Sequence, residues 1–164
     1  LTYSINPKVL MELLPHVPGG YFLPFHLSHL NNMEGLESYR NSAMGNEAFE
    51  KQLLVQSMSG PAVTAFLYGK PVAVFGCMLM WKGVGEAWSI LSDSSKRYPI
   101  ALIRGARAFL DSCTSSYHLH RLQITVKTSD AVAIKFAHAL KFIPECNMEK
   151  YSADQEDYTL FRRI

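Results

Sequence analysis

The sequence predicts an α/β domain of the α+β kind, with a mixed, mostly antiparallel sheet flanked by helices. Three observations carry that reading. Apart from a short apolar run at 21–25, the apolar spacing is helical up to Gly60-Pro61, alternates as far as Ser92, and is helical again from Pro99. Two turn signals, Gly69-Lys70-Pro71 and Lys82-Gly83-Val84-Gly85, cut the alternating stretch into strands. A single helix then separates the strand at 86–92 from the strand at 121–126, and a helical crossover joins parallel strands.

The elements follow in order. Asn6-Pro7 opens a helix over about 6–14, because Asn caps and Pro tolerates the first helical position; Val9, Leu10, Leu13 and Leu14 form its apolar face. Pro18-Gly19-Gly20 breaks the chain before a short strand at 21–25. Helical patterns cover 28–42 and, from a cap at Asn46, reach about Met58. Strands are expected at 62–68, 72–81 and 86–92. In the helix from Pro99, Leu102, Ile103, Ala106, Phe109, Leu110 and Cys113 share one face, with Arg104, Arg107 and Asp111 opposite. A strand at 121–126 leads to Thr128-Ser129-Asp130, which caps a helix ending near Leu140. A hairpin of 142–151 and 158–162 closes the chain around an acidic turn. With no repeat, linker or low-complexity segment, residues 1–164 read as a single domain.

Composition narrows the function classes. The 164 residues are 48% hydrophobic, enough to fill one core, and only 18% charged. The net charge of +2, without a like-charge block or a basic stripe interleaved with aromatics, gives no reason to expect nucleic acid. Cys77, Cys113 and Cys146 are odd in number and none sits in a metal-ligand pair, so reduced cytoplasmic thiols are expected rather than a disulfide framework. No apolar run reaches the length of a membrane span, and no signal-peptide layout is present, so no membrane association is expected.

Chemistry-bearing residues are sparse. In "LSDSSKRYPIALIRGARAFL" (91–110) a strand end, a polar turn and a helix start follow one another, a layout that cradles phosphate through free amides and the helix dipole. The turn holds no glycine, so a plain helix cap with solvated charges competes with a phosphate site built from Ser92, Ser94, Ser95, Lys96 and Arg97. His118 and His120 would share one face of a strand, and His26 and His29 would lie one helical turn apart. Neither pair has a carboxylate or cysteine cluster beside it, and both read as surface pairs before metal ligands. Cys77 reads as core, and Met78, Met80, Trp81 and Trp88 as packing first and an acceptor groove or partner surface second.

The segments "AFLYGKPVAVFG" (65–76), "HRLQITV" (120–126) and "KTSDAVAIKFAHALKF" (127–142) are similar to the GNAT superfamily of acetyl-CoA-dependent acyltransferases, over a span from about Tyr21 to the C-terminus. That family's second signature, Asn-x-x-Ala-x-x-Leu-Tyr ending in Leu-Gly-Phe, falls with its spacing kept on Asp130, Ala133, Phe136, Ala137 and Leu140-Lys141-Phe142. Within the superfamily the chain most resembles GNAT-like proteins of tailed bacteriophages, including internal virion proteins of short-tailed phages. The likeness lies in "WSILSD" (88–93), the glycine-poor helix start and the missing signature tyrosine.

The resemblance implies a central parallel pair, 86–92 and 121–126, that splays apart and leaves a cleft. It implies acetyl-CoA as co-substrate, with pantetheine along the backbone of Ile90, Leu91 and Ser92. The pyrophosphate would lie over residues 94–100, where Ser94, Ser95, Lys96, Arg97 and Ile100 stand, and Asp130 and Phe136 carry over from the second signature. Arg97 takes the family's basic place, whereas Ile100 and Leu102 replace its two glycines and Pro99 removes an amide. Glu86 is the implied base for an unknown amine acceptor. Ala137 stands where a tyrosine protonates the leaving thiolate, leaving Tyr98, Tyr117 or Tyr151 as substitutes. Two functions follow from the resemblance. One is an N-acetyltransferase; the other is a non-catalytic GNAT scaffold, a virion component or a binder of a host protein, in the host cytoplasm or the virion.

Overall fold

The computed structural model describes residues 19–42 and 45–164. The helix expected over 6–14 lies outside them. The alternating stretch folds as a meander of β2 (Ala62–Leu67), β3 (Lys70–Trp81) and β4 (Val84–Leu91). The first turn is Tyr68-Gly69, with φ of 51° and 77°, rather than Gly69-Lys70-Pro71. Two positive φ values give a two-residue hairpin whose twist matches its strands. Pro71 is tolerated in β3 because the register shifts there, between Ala65 and Phe66. The second turn is Lys82-Gly83, so β4 starts at Val84, two residues before the expected Glu86. Those two residues matter, since they begin the pairing with β5.

Around the meander lie β1 (Gly20–Pro24), a 3-10 helix (Leu27–Asn32), α1 (Glu37–Ser42) and α2 (Asn46–Met58). The continuous helix expected over 28–42 is therefore split in two. Gly35 sits in the break at φ 79°, so close to the Asp93 carboxylate that a Cβ would come within 2.2 Å of Asp93 Cγ. That backbone conformation favours glycine, and a side chain there would also have to push the Asp93 carboxylate aside. A second 3-10 helix (Asp93–Arg97) follows β4. Then come α3 (Pro99–Ser116), β5 (Arg121–Lys127), α4 (Ala131–Ala139), β6 (Ile143–Met148) and β7 (Tyr158–Arg163). The sheet runs β1-β2-β3-β4-β5-β7-β6, antiparallel throughout except for β4 against β5.

Side chains alternate along each strand, so the sheet carries a core on each face. Phe75, Cys77, Phe109, Leu110, Cys113, Ala137, Phe142 and Phe161 fill the α3 and α4 side. Leu30, Met33, Leu36, Phe49, Leu53, Val74 and Ile90 fill the opposite side. The apolar face predicted for α3 is the face it buries. On its other side Arg107 donates two hydrogen bonds to the Ala139 carbonyl, at 3.0 and 2.6 Å, tying α3 to the end of α4.

The end of α4 is a Schellman cap. Phe142 N–H bonds to the Ala137 carbonyl at 3.0 Å and Lys141 N–H to the His138 carbonyl at 2.9 Å. Lys141 stands where the family signature has glycine, and it takes the left-handed φ of 67° that a glycine would adopt freely. A side chain in that conformation costs about 1–2 kcal/mol. Lys141→Gly is therefore expected to stabilise the protein by about 1 kcal/mol, read as a higher urea midpoint at unchanged m-value. A lower midpoint would show that the lysine side chain is needed there.

Candidate functional site

The site grows from an interruption in the sheet. β4 and β5 pair in parallel over Val84↔Arg121, Gly85↔Leu122 and Glu86↔Gln123 only. β4 then continues to Leu91 and β5 to Lys127 without pairing each other, which is the parallel, opening pair the sequence predicted. Ser92 N–H bonds to the Val72 carbonyl on β3. Since successive amides of a strand point to opposite edges, Ile90 also turns its N–H toward β3, while Ala87, Ser89 and Leu91 turn theirs into the gap. Of Ile90, Leu91 and Ser92, only Leu91 offers its backbone to the gap. The Ile90 side chain is buried beneath α2.

The Leu91 amide has a partner already. It donates to the Tyr39 hydroxyl of α1 at 3.0 Å. Burial pushes the Tyr39 phenol above its ordinary pKa; the Leu91 hydrogen bond opposes this, and the charge of Asp130 at the start of α4 adds to it. Tyr39 thus stands at the end of β4 with its hydroxyl on the Leu91 amide. Its ring stacks on Phe49 of α2 at 6.2 Å between centroids and forms one wall of a cavity of about 170 Å³ completed by Gln52, Gln56, Trp88 and Ser89. Trp88 lies flat over Gly76, where a Cβ would come within 2.1 Å of the indole, and its Nε1 is buried without a partner among the described residues.

After β4, the serines hold the loop in shape. Ser92 Oγ donates to the Val72 carbonyl at 2.7 Å and shares a 2.7 Å hydrogen bond with Ser94 Oγ; Ser95 Oγ donates to the Ser92 carbonyl at 2.6 Å. Ser92 and Ser95 are buried. The exposed charges are Lys96, in a loose pair with Asp93 at 3.5 Å, and Arg97. Helix α3 begins just beyond them with Pro99 in its first turn and no side-chain cap. Ile100 stands exposed on that turn, while Leu102 packs inward against the core.

Glu86 lies on the β4 face that also carries Trp88 and Ile90. Gln123 Nε2 donates to Glu86 Oε2 at 3.3 Å, and Arg121 Nε donates to Gln123 Oε1 at 3.2 Å. The Arg121 guanidinium continues to both oxygens of Glu145, which Arg162 also approaches at 3.6 Å. Its hydrogen bond holds the Glu145 carboxyl below its ordinary pKa, and the same bond raises Arg121. A polar line therefore leads from the closed end of the gap across β5 to β6 and β7.

The other candidates are scattered. Asp130 caps α4, accepting from Ala133 N–H at 3.0 Å; Phe136 packs against the core and Ala137 is buried. Tyr98 and Tyr117 pack against the same core, and Tyr151 sits in the last hairpin with its ring 5.4 Å from that of Tyr158. His118 and His120 do not share a strand face: His118 turns left-handed at φ 51° and β5 begins only at Arg121. His26 and His29 flank the start of the first 3-10 helix, where each accepts a backbone N–H at 3.2 Å. Among the described residues no His, Cys, Asp or Glu group could hold a metal ion. Cys77 is core as expected, but Trp81 and Met80 are exposed at the end of β3. Tyr39 was not among the candidates, and its helical spacing carries no signal of its partner.

No protein-family model matches the chain, and no curated protein does. Solved structures do. An acetyltransferase from Salmonella typhimurium that modifies the N-terminal serine of ribosomal protein L7/L12 aligns at TM-score 0.71 and 14% identity, over 92% of this chain and 98% of that one. A GNAT-family acetyltransferase from Bacillus anthracis aligns at 0.70 and 12%, over 89% and 95%. The fold is the GNAT fold. Salmonella typhimurium yncA, solved with its cofactor acetyl-CoA, aligns at 0.65 and 10%, over 88% and 93%. In GNAT terms the gap between β4 and β5 is the opening at the centre of the sheet. No helix of the described residues is long and apolar enough to cross a membrane.

Proposed function

We propose that the chain is an N-acetyltransferase that takes acetyl-CoA in the gap between β4 and β5 and an amine on the Glu86 side. The observation that carries this reading is the three-pair parallel ladder that stops at Glu86↔Gln123 and leaves the strand edges beyond it without each other. An extended amide-bearing arm fits there, because Leu91, the last residue of β4, turns its backbone to the gap. Lys96 and Arg97 at the exposed start of α3 suit a pyrophosphate, although Pro99 and Ile100 leave it fewer close amides. When bound, acetyl-CoA supplies a thioester whose acyl carbon an amine can attack. Glu86, held by Gln123, takes the amine proton through water.

Arg97→Ala is expected to weaken CoA binding by about 1–3 kcal/mol, the range for hydrogen bonds to charged groups. Calorimetric titration measures it, and unchanged affinity would remove Arg97 from the site. The test of the function itself is titration of the wild-type protein with acetyl-CoA, followed by thiol release across a panel of amines. Absence of binding would overturn the reading.

A second reading rests on Ile100 and Leu102 in the glycine places and Ala137 in the tyrosine place. It is a GNAT scaffold without catalysis, of the phage type, working in the virion or on a host protein in the cytoplasm. Binding of CoA with no thiol release for any amine favours it.

A further inference from the structure

We propose that Tyr39 is a catalytic residue, its hydroxyl and the Leu91 N–H together forming a two-donor seat for the carbonyl oxygen of the acyl group. The proposal rests on the acetyltransferase reading and names a residue that the resemblance does not supply. The Leu91 amide points into the gap, and the Tyr39 hydroxyl meets it there at 3.0 Å. A phenol oxygen accepting one hydrogen bond still has its own proton to give. A carbonyl oxygen entering there displaces the hydroxyl from the amide and would then receive one bond from the amide and one from the phenol, which turns from acceptor to donor. Burial keeps the phenol protonated, as a donor must be. Two donors that converge on an oxygen as it gains negative charge stabilise acyl transfer in a dry site.

The electron count closes without an oxidant or metal. The amine nitrogen adds to the acyl carbon while the carbonyl pair shifts onto oxygen between Tyr39 and Leu91. That pair returns as the carbon–sulfur bond breaks. The amine proton leaves to Glu86 or water, and the thiolate takes one proton from solvent. Tyr39 keeps its own proton throughout.

Tyr39→Phe is the test, since it removes only the hydroxyl and leaves the ring on Phe49. Two measurements are made: the infrared carbonyl band of bound acetyl-CoA labelled with ¹³C at the carbonyl, and calorimetry with CoA, which has no carbonyl at that place. The expected result is a band at lower frequency in wild type than in Tyr39→Phe, with CoA affinity within about twofold. Where an amine gives thiol release, kcat should also fall at least tenfold. An identical band in both proteins would overturn the role of Tyr39 and leave the acetyltransferase reading standing. CoA binding tightened tenfold or more in Tyr39→Phe would overturn it too, making the tyrosine a plug. Wild type that binds neither ligand would overturn both readings together.

Discussion

Glu86→Gln is expected to lower thiol release from acetyl-CoA by about 10²-fold while leaving CoA affinity near wild type. The size follows from position. General bases contribute about 10²–10⁴-fold when they meet the proton they remove. Glu86 lies five residues before Leu91, roughly 16 Å along an extended strand, so the proton of an amine near the Leu91 amide reaches it along a chain of waters, which puts the effect at the low end of that range. The substitution is also structurally mild. Gln123 presents its NH₂ to Glu86 because its carbonyl is committed to Arg121, and the carbonyl oxygen of a glutamine at 86 can still accept that bond. Stopped assays with a thiol reagent across pH separate the outcomes. Transfer that survives in Glu86→Gln at the wild-type rate would show that water or the acceptor itself disposes of the proton.

Much of the fold was legible because its signals are local. Alternation and glycine turns marked the meander, and the 99–113 stripe marked the buried face of α3. What escaped was decided across long separations. The break at Gly35 is held by a contact from far along the chain, the Asp93 N–H on the Glu34 carbonyl at 2.9 Å, and the first hairpin turns at Tyr68 because that residue accepts a positive φ, which its type does not advertise. The site was less legible still. Serine hydroxyls after a strand read equally well as phosphate ligands or as loop ties, and the burial of Ser92 and Ser95 ties them to the Val72 and Ser92 carbonyls. Tyr39 could not be found at all, because its partner lies 52 residues along the chain and a tyrosine on a short helix looks like any other packing residue.

Gly60→Ala is expected to destabilise the protein by about 3 kcal/mol or more, the range reserved for overpacked or broken core features. Gly60 joins α2 to β2, and a Cβ there would fall 1.8 Å from the Cys77 carbonyl oxygen and 2.9 Å from its carbon. Favourable contact needs about 3.5 Å, and the atoms in the way are strand backbone, which cannot swing aside as a side chain does. Relief would have to come from lifting the junction off β3. That lift breaks the bonds on either side of Gly60, Cys77 N–H to the Pro61 carbonyl and Leu79 N–H to the Ser59 carbonyl, both 2.9 Å, at roughly 1 kcal/mol each. It also pulls α2 outward, loosening Phe49 and Leu53 from Val74 and Ile90. Since Phe49 backs the Tyr39 ring, the loss should reach the Leu91 amide as well as the core. Urea denaturation should therefore show a much lower midpoint, and whatever folded protein remains should bind CoA more weakly. A midpoint shifted by less than about 1 kcal/mol would mean that the α2 junction is free to move, and the seat proposed for the acyl oxygen would lose its rigid backing.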